Sequence, residues 1–245
     1  MAEQRFVGYF RLLEACRASG CPVCRCVADD SRSYLDALLY ERVTDVDVRR
    51  MIRAAWGFCN WHTWMLPEIA SSRFGAAILY EDLVTLALRR TERLAARRPR
   101  RWLNPLRRRR RAGPAELHAR RAICPACRRS ADAERGYLAT MVKLVDDGDL
   151  QAAYARSDGL CLPHLLAATS EHGARPETAT LVERTRDKWR RLRQDIGGFV
   201  SKHDYQNREP YSDAERASCL RAFETLAGAR SVFGNDVHPR MPPRR

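Results

Sequence analysis

The chain has little that would anchor it, sort it or make it a familiar enzyme. No stretch approaches the roughly 18 uninterrupted apolar residues of a membrane span. Met1-Ala2-Glu3-Gln4-Arg5 shows neither the basic start nor the apolar core of a signal peptide. No run alternates apolar and polar residues as a half-buried strand does. No P-loop, GxSxG element or paired carboxylates appear. These absences lead to the expectation of a cytoplasmic protein without a membrane span. Thiols stay reduced in that compartment, so paired cysteines point to metal or redox chemistry. Nine cysteines would also leave one over from any set of disulfides.

The charge is less informative than its size suggests. The net +14 owes much to Arg97, Arg98, Arg100, Arg101 and the run Arg107, Arg108, Arg109, Arg110, Arg111. That is nine positive charges with no negative ones, in a short Pro- and Gly-bearing connector that reads as exposed. It could hold phosphate backbones without sequence preference, with Arg107–Arg111 as the contacts and 97–111 as the nucleic-acid segment. A solvated linker accounts for it equally well.

What the chain does have is a pattern written twice. Cys21-Pro22-Val23-Cys24 is followed by Gly57-Phe58-Cys59-Asn60-Trp61-His62, and Cys124-Pro125-Ala126-Cys127 by Gly159-Leu160-Cys161-Leu162-Pro163-His164. The gap between half-sites is 34 intervening residues in the first copy and 33 in the second. Three thiols and one imidazole, as C-x2-C and C-x2-H, form the donor set of a tetrahedral zinc ion. Four protein ligands leave no open position for water, which points to a structural ion, two Zn2+ per chain. The simplest pairing follows sequence order: Cys21, Cys24, Cys59 and His62 around one ion, Cys124, Cys127, Cys161 and His164 around the other. A crossed pairing between repeats is the less favoured alternative. Cys16, Cys26 and Cys219 remain as spare thiols.

Helical periodicity surrounds each copy. Val27, Tyr34, Leu35, Leu38 and Leu39 recur at helical spacing, as do Leu138, Met141, Val142 and Leu144. Thr44 or Asp45, and Asp149, suit the N-caps of return helices over 46–55 and 150–156, with Gly57 and Gly159 beyond their ends. Further helices are predicted over 60–70, from 75 to about 97, over about 177–200 and over about 212–227. The expected fold is therefore all-α: two repeated helical hairpins, each closed by a Cys3His site, plus C-terminal helices. The expected divisions are 1–97, an arginine-rich linker 98–115, 116–228, and a flexible tail 229–245.

The CPxC and GFCxxH motifs, the intervening Tyr34-Leu35 helix, and Phe199-Val200-Ser201-Lys202-His203-Asp204-Tyr205 resemble a family of uncharacterised bacterial proteins, classed as a domain of unknown function. The resemblance spans most of the chain outside the arginine linker and the tail. It implies the pairing of Cys21, Cys24, Cys59 and His62 as a recurrent unit, and it implies no activity.

Three functions compete. A zinc-stabilised helical binding or scaffold protein, without catalytic residues and with a protein partner, accounts for both quartets. A thiol redox protein, or a zinc–thiolate sensor, would use C-P-x-C, but no βαβ setting surrounds it. A nucleic-acid-associated protein would use the arginine segment. His118 reads as a surface residue. Trp56, Trp61 and Trp64 read as packing near the first site, and His203 and Asp204 as part of a helix end packed on the core.

Overall fold

The computed structural model describes residues 2–95 and 122–233, and every long regular element among them is a helix. The order is α1 (Ala2–Ala15), α2 (Pro22–Glu41), α3 (Val46–Ala55), α4 (Asn60–Met65), a 3-10 turn (Leu66–Glu68), α5 (Ser72–Ala95), α6 (Pro125–Lys143), α7 (Gly148–Arg156), α8 (Leu162–His172), α9 (Pro176–Ser201) and α10 (Asp213–Ala227). The all-α expectation holds. Helix α1 is not among the elements expected from the sequence. The arginine run, His118 and residues 234–245 lie outside the described residues. None of the described helices is long and apolar enough to cross a membrane.

Local chemistry accounts for the helix ends. Asp45 caps α3, its carboxylate accepting from the N–H groups of Asp47 and Val48. For α7 the cap is Asp147 and not Asp149; its side chain accepts from the Leu150 N–H at 3.1 Å and also from Tyr9 Oη at 2.6 Å, which ties α1 to this turn. Ser212 and Glu215 form a reciprocal capping box at the start of α10.

The chain forms two compact units, and they do not coincide with the repeats. One comprises Met1–Ser31 and Ser130–Phe233, and the other is built on Arg32–Arg129. Helices α2 and α6 each divide between the two. In the first unit, Val23 and Val27 from the start of α2 share a core with Leu138, Met141 and Val142 from later in α6, and with Leu12, Leu150, Leu165 and Leu181. In the second, Ala126 from the start of α6 shares a core with Leu35, Leu38 and Leu39 from later in α2, and with Ile52, Phe58, Met65 and Leu79.

In the second unit, helix α5 comes close to the end of α2 at Gly75. A Cβ there would stand 2.1 Å from the Leu39 carbonyl oxygen and 3.0 Å from a Val43 methyl. Helix propensity favours alanine by up to about 1 kcal/mol, whereas forcing atoms into a packed contact costs about 1–3 kcal/mol. The obstacle is backbone, which cannot swing aside. Gly75→Ala is expected to lower the melting temperature despite the better propensity, and an unchanged or raised value would show that α5 can move away freely.

Candidate metal centres

All four half-sites use one local device. Cys161 stands at the N-cap of α8 with His164 in its first turn, and Cys59 stands at the N-cap of α4 with His62 in its first turn. Cys21 immediately precedes α2 and Cys24 lies in its first turn; Cys124 and Cys127 stand likewise on α6. A spacing of three residues places both donors at one helix N-terminus, where the unpaired N–H groups and the positive end of the dipole favour thiolate. Pro22 and Pro125 open their helices at the position where a missing N–H costs nothing.

The helices join these ends in a crossed pattern. Cys21, Cys24, Cys161 and His164 form one buried quartet, which lies in the first unit. Cys59, His62, Cys124 and Cys127 form the other, in the second unit. Within each, the donor atoms all lie within 4.8 Å of one another. The pairing in sequence order is thereby corrected. Its physical obstacle is helix length. At about 1.5 Å per residue, α2 runs about 30 Å and α3 only about 15 Å, so the return helix stops far short of the start of α2. Trp56 then turns the chain in the left-handed region and Gly57 follows at φ 90°, leaving too few extended residues to close the gap. The same mismatch separates α6 from α7. Each C-x2-H end therefore stops short of its own C-x2-C and groups with that of the other repeat.

The spacing fits a single tetrahedral ion. Zinc bonds of about 2.3 Å to sulfur and 2.0–2.1 Å to nitrogen place sulfurs about 3.8 Å apart and sulfur about 3.6 Å from nitrogen. In the first quartet, Cys24 Sγ is 3.6 Å from Cys161 Sγ, and His164 Nδ1 is 3.4 Å from both Cys21 and Cys24 and 3.2 Å from Cys161. In the second, Cys127 Sγ is 3.5 Å from Cys59 Sγ, and His62 Nδ1 is 3.2 Å from Cys59, 3.4 Å from Cys127 and 3.7 Å from Cys124. These separations far exceed the roughly 2.05 Å of a disulfide. They leave no room among the donors for a multi-iron cluster.

The protonation pattern shows what a cation would resolve. Burial raises the Cys21 thiol, but contacts with Cys161, Cys24 and His164 outweigh it and bring Cys21 well below the ordinary value. Cys24 is raised by its contacts with Cys161 and Cys21. In the second quartet, Cys124 and Cys127 lower Cys59, while Cys127 is raised by Cys124 and Cys59. Burial works against a charged His62, yet Cys124 and Cys59 lift it to about 9. A buried trio of thiols cannot all ionise side by side; a doubly charged ion would remove that conflict.

Supporting contacts fix the quartet residues. Glu134 Oε1 lies 3.3 Å from His164 Nε2, opposite the nitrogen that faces the sulfurs, the arrangement that orients a ligating imidazole. Replacing Glu134 by glutamine should weaken metal binding at this quartet by about 10–100-fold, read by competition with a chromogenic chelator. An unchanged affinity at this quartet in Glu134→Gln would exclude that role. The loop before Cys161 is held from α7 and α9: Tyr154 Oη accepts the Leu160 N–H at 3.0 Å, Trp189 Nε1 donates to Leu160 O at 3.2 Å, and Lys188 Nζ donates to Ser157 O at 2.6 Å. Gly159 has φ 86°, and a Cβ there would strike Lys188. Near the second quartet, Thr63 Oγ1 donates to Phe58 O at 3.3 Å and meets Tyr80 Oη at 3.1 Å.

Residues from 229 onward are expected from composition to form a flexible tail, but Ala229–Phe233 cover the first quartet. The Ala229 N–H donates to Cys24 Sγ at 3.3 Å, Val232 is buried, and the Phe233 ring centre is 5.1 Å from that of His164. Among the tryptophans, Trp61 packs on the second core, Trp56 lies under Arg90 and Trp64 is exposed. Lys202 pairs with Glu215, but His203 and Asp204 do not pack on the core as expected: both are exposed, as is Tyr205. Cys16 and Cys26 are buried outside the quartets, where burial pushes their thiols up to about 11 and about 12. Such thiols are unreactive.

A family model described as a family of unknown function (DUF6062) matches residues 10–232, and the chain belongs to that family. No curated protein and no solved structure matches the chain.

Proposed function

We propose that this DUF6062 protein is a zinc-stapled helical scaffold. Each quartet holds one structural Zn2+, and the helical surfaces, not a reacting group, meet a protein partner. The observation that supports this most is the crossed grouping of eight buried donors into two Cys3His sets at tetrahedral spacing. When bound, the ion would supply charge neutralisation for three thiolates and a rigid junction between two helix starts. Cys21, Cys24, Cys161 and His164 would hold one ion, and Cys59, His62, Cys124 and Cys127 the other. Full protein coordination leaves no position for a substrate, which separates this role from zinc catalysis.

Each ion would also join distant parts of the chain. The Cys24–Cys161 contact links residues 137 apart, and the Cys59–Cys127 contact links residues 68 apart. Closing such long loops limits the unfolded ensemble in the way a disulfide does. Elemental analysis with thiol titration tests the reading. Two zinc ions per chain are expected, with the six thiols of the quartets reacting only after chelation. A metal-free folded protein whose six thiols react at once would refute it.

A further inference from the structure

Past α10 the chain turns back over the first quartet. Gly228 makes the turn at φ 81° and ψ 171°, backbone that is essentially restricted to glycine. Three contacts follow within five residues. The Ala229 N–H donates to Cys24 Sγ at 3.3 Å, Val232 is buried in the first core, and the Phe233 ring centre lies 5.1 Å from that of His164. The root of the segment is closely fitted, since a Cβ on Gly228 would stand 2.1 Å from the Phe233 ring. Its middle is not. Ser231 sits at φ 67°, in the left-handed region that a serine disfavours, and Arg230 is exposed. A segment anchored at its ends and strained at its centre belongs to the part of a fold that opens most readily.

Resting on the zinc reading above, we propose that Ala229–Phe233 is a strap that closes the first zinc site and sets how long its ion stays. A sulfur bearing thiolate charge accepts an N–H bond more strongly than a neutral thiol. The docked strap and the charged Cys24 sulfur therefore support one another, and by linkage each strengthens the other equally. A chelator that takes the ion must reach the donors as they let go. Ala229 and Phe233 lie against two of the four, Cys24 and His164. Exchange at this site waits for the strap to lift. Strap and first quartet belong to one compact unit, whereas Cys59, His62, Cys124 and Cys127 belong to the other. The second quartet is thus an internal reference for any change made in the strap.

The test uses the full chain carrying its zinc. Zinc content is measured first. Release to a chromogenic chelator is then followed with a maleimide present, and peptide mass spectrometry shows which cysteines are labelled as zinc leaves. Val232→Ser removes the buried anchor, and Gly228→Ala drives a methyl group into the Phe233 ring; neither alters a donor. Both variants should retain two zinc ions and label Cys21, Cys24 and Cys161 about tenfold faster than the parent chain. Labelling of Cys59, Cys124 and Cys127 should not change. Trypsin cleavage after Arg230, which tracks the population of the lifted strap, should rise in step. Unchanged labelling of the first quartet in either variant, equal acceleration at both quartets, or faster labelling without faster cleavage would each overturn the strap and leave the zinc reading standing. A protein with no zinc at the start would overturn both.

Discussion

On the proposed zinc reading, stripping the metal from the chain with a strong chelator should unfold most of its helix, seen as loss of far-ultraviolet circular dichroism and of a cooperative melt. A structural zinc contributes about 10–16 kcal/mol of apparent binding energy in a small motif. A whole domain is stable by only about 5–15 kcal/mol. Each ion would thus outweigh the margin of the unit that holds it. Without the ions, three thiols and an imidazole remain buried at each site, and contacts among them push Cys21 down and Cys24 up. The unit also loses the closure of a long loop. Readdition of zinc should restore the signal. A chelated protein that keeps its cooperative melt would show that the apolar cores around Leu138 and Leu35 suffice without metal.

Cutting the chain between the repeats should have an equally large effect. A piece spanning 1–97 carries Cys21, Cys24, Cys59 and His62, a complete donor set by composition. In the folded chain those donors belong to different quartets. A return helix about 15 Å long cannot bring Cys59 to the start of a helix about 30 Å long. The piece should therefore hold no zinc as a monomer, and it should lose the partners of Leu35 and Val23 that come from α6. Mixed with a piece spanning 116–233, it should recover two zinc ions in a one-to-one complex. A compact monomer of 1–97 with one bound zinc would contradict the crossed grouping.

Much of this architecture is legible in the residues. Ligand type, order and spacing pick out the eight residues that the structure gathers into two buried quartets able to hold a metal ion. Helix spans are readable from apolar periodicity and from the punctuation at Asp45, Gly57, Gly159 and Ser212. The pairing is harder, since two chemically identical quartets can be drawn from the same half-sites. The decisive clue is arithmetic: α3 and α7 are too short to return to the starts of α2 and α6. Glu134 gives no signal because Ser31 stands at its place in the first repeat. The Ala229–Phe233 cover is hidden by its surroundings, a short apolar stretch at the edge of an Arg- and Pro-rich tail. Helix α1 is easily missed although Leu12 and Ala15 carry part of a helical stripe into the first core.

Zinc stoichiometry in two four-substitution variants of the full chain separates the crossed arrangement from its rival. Substituting Cys21, Cys24 and Cys161 by serine and His164 by alanine removes one crossed quartet and should leave one zinc per chain. Substituting Cys21, Cys24 and Cys59 by serine and His62 by alanine disables both and should leave none. The reverse outcome, none in the first variant and one in the second, would mean that each repeat binds its own ion.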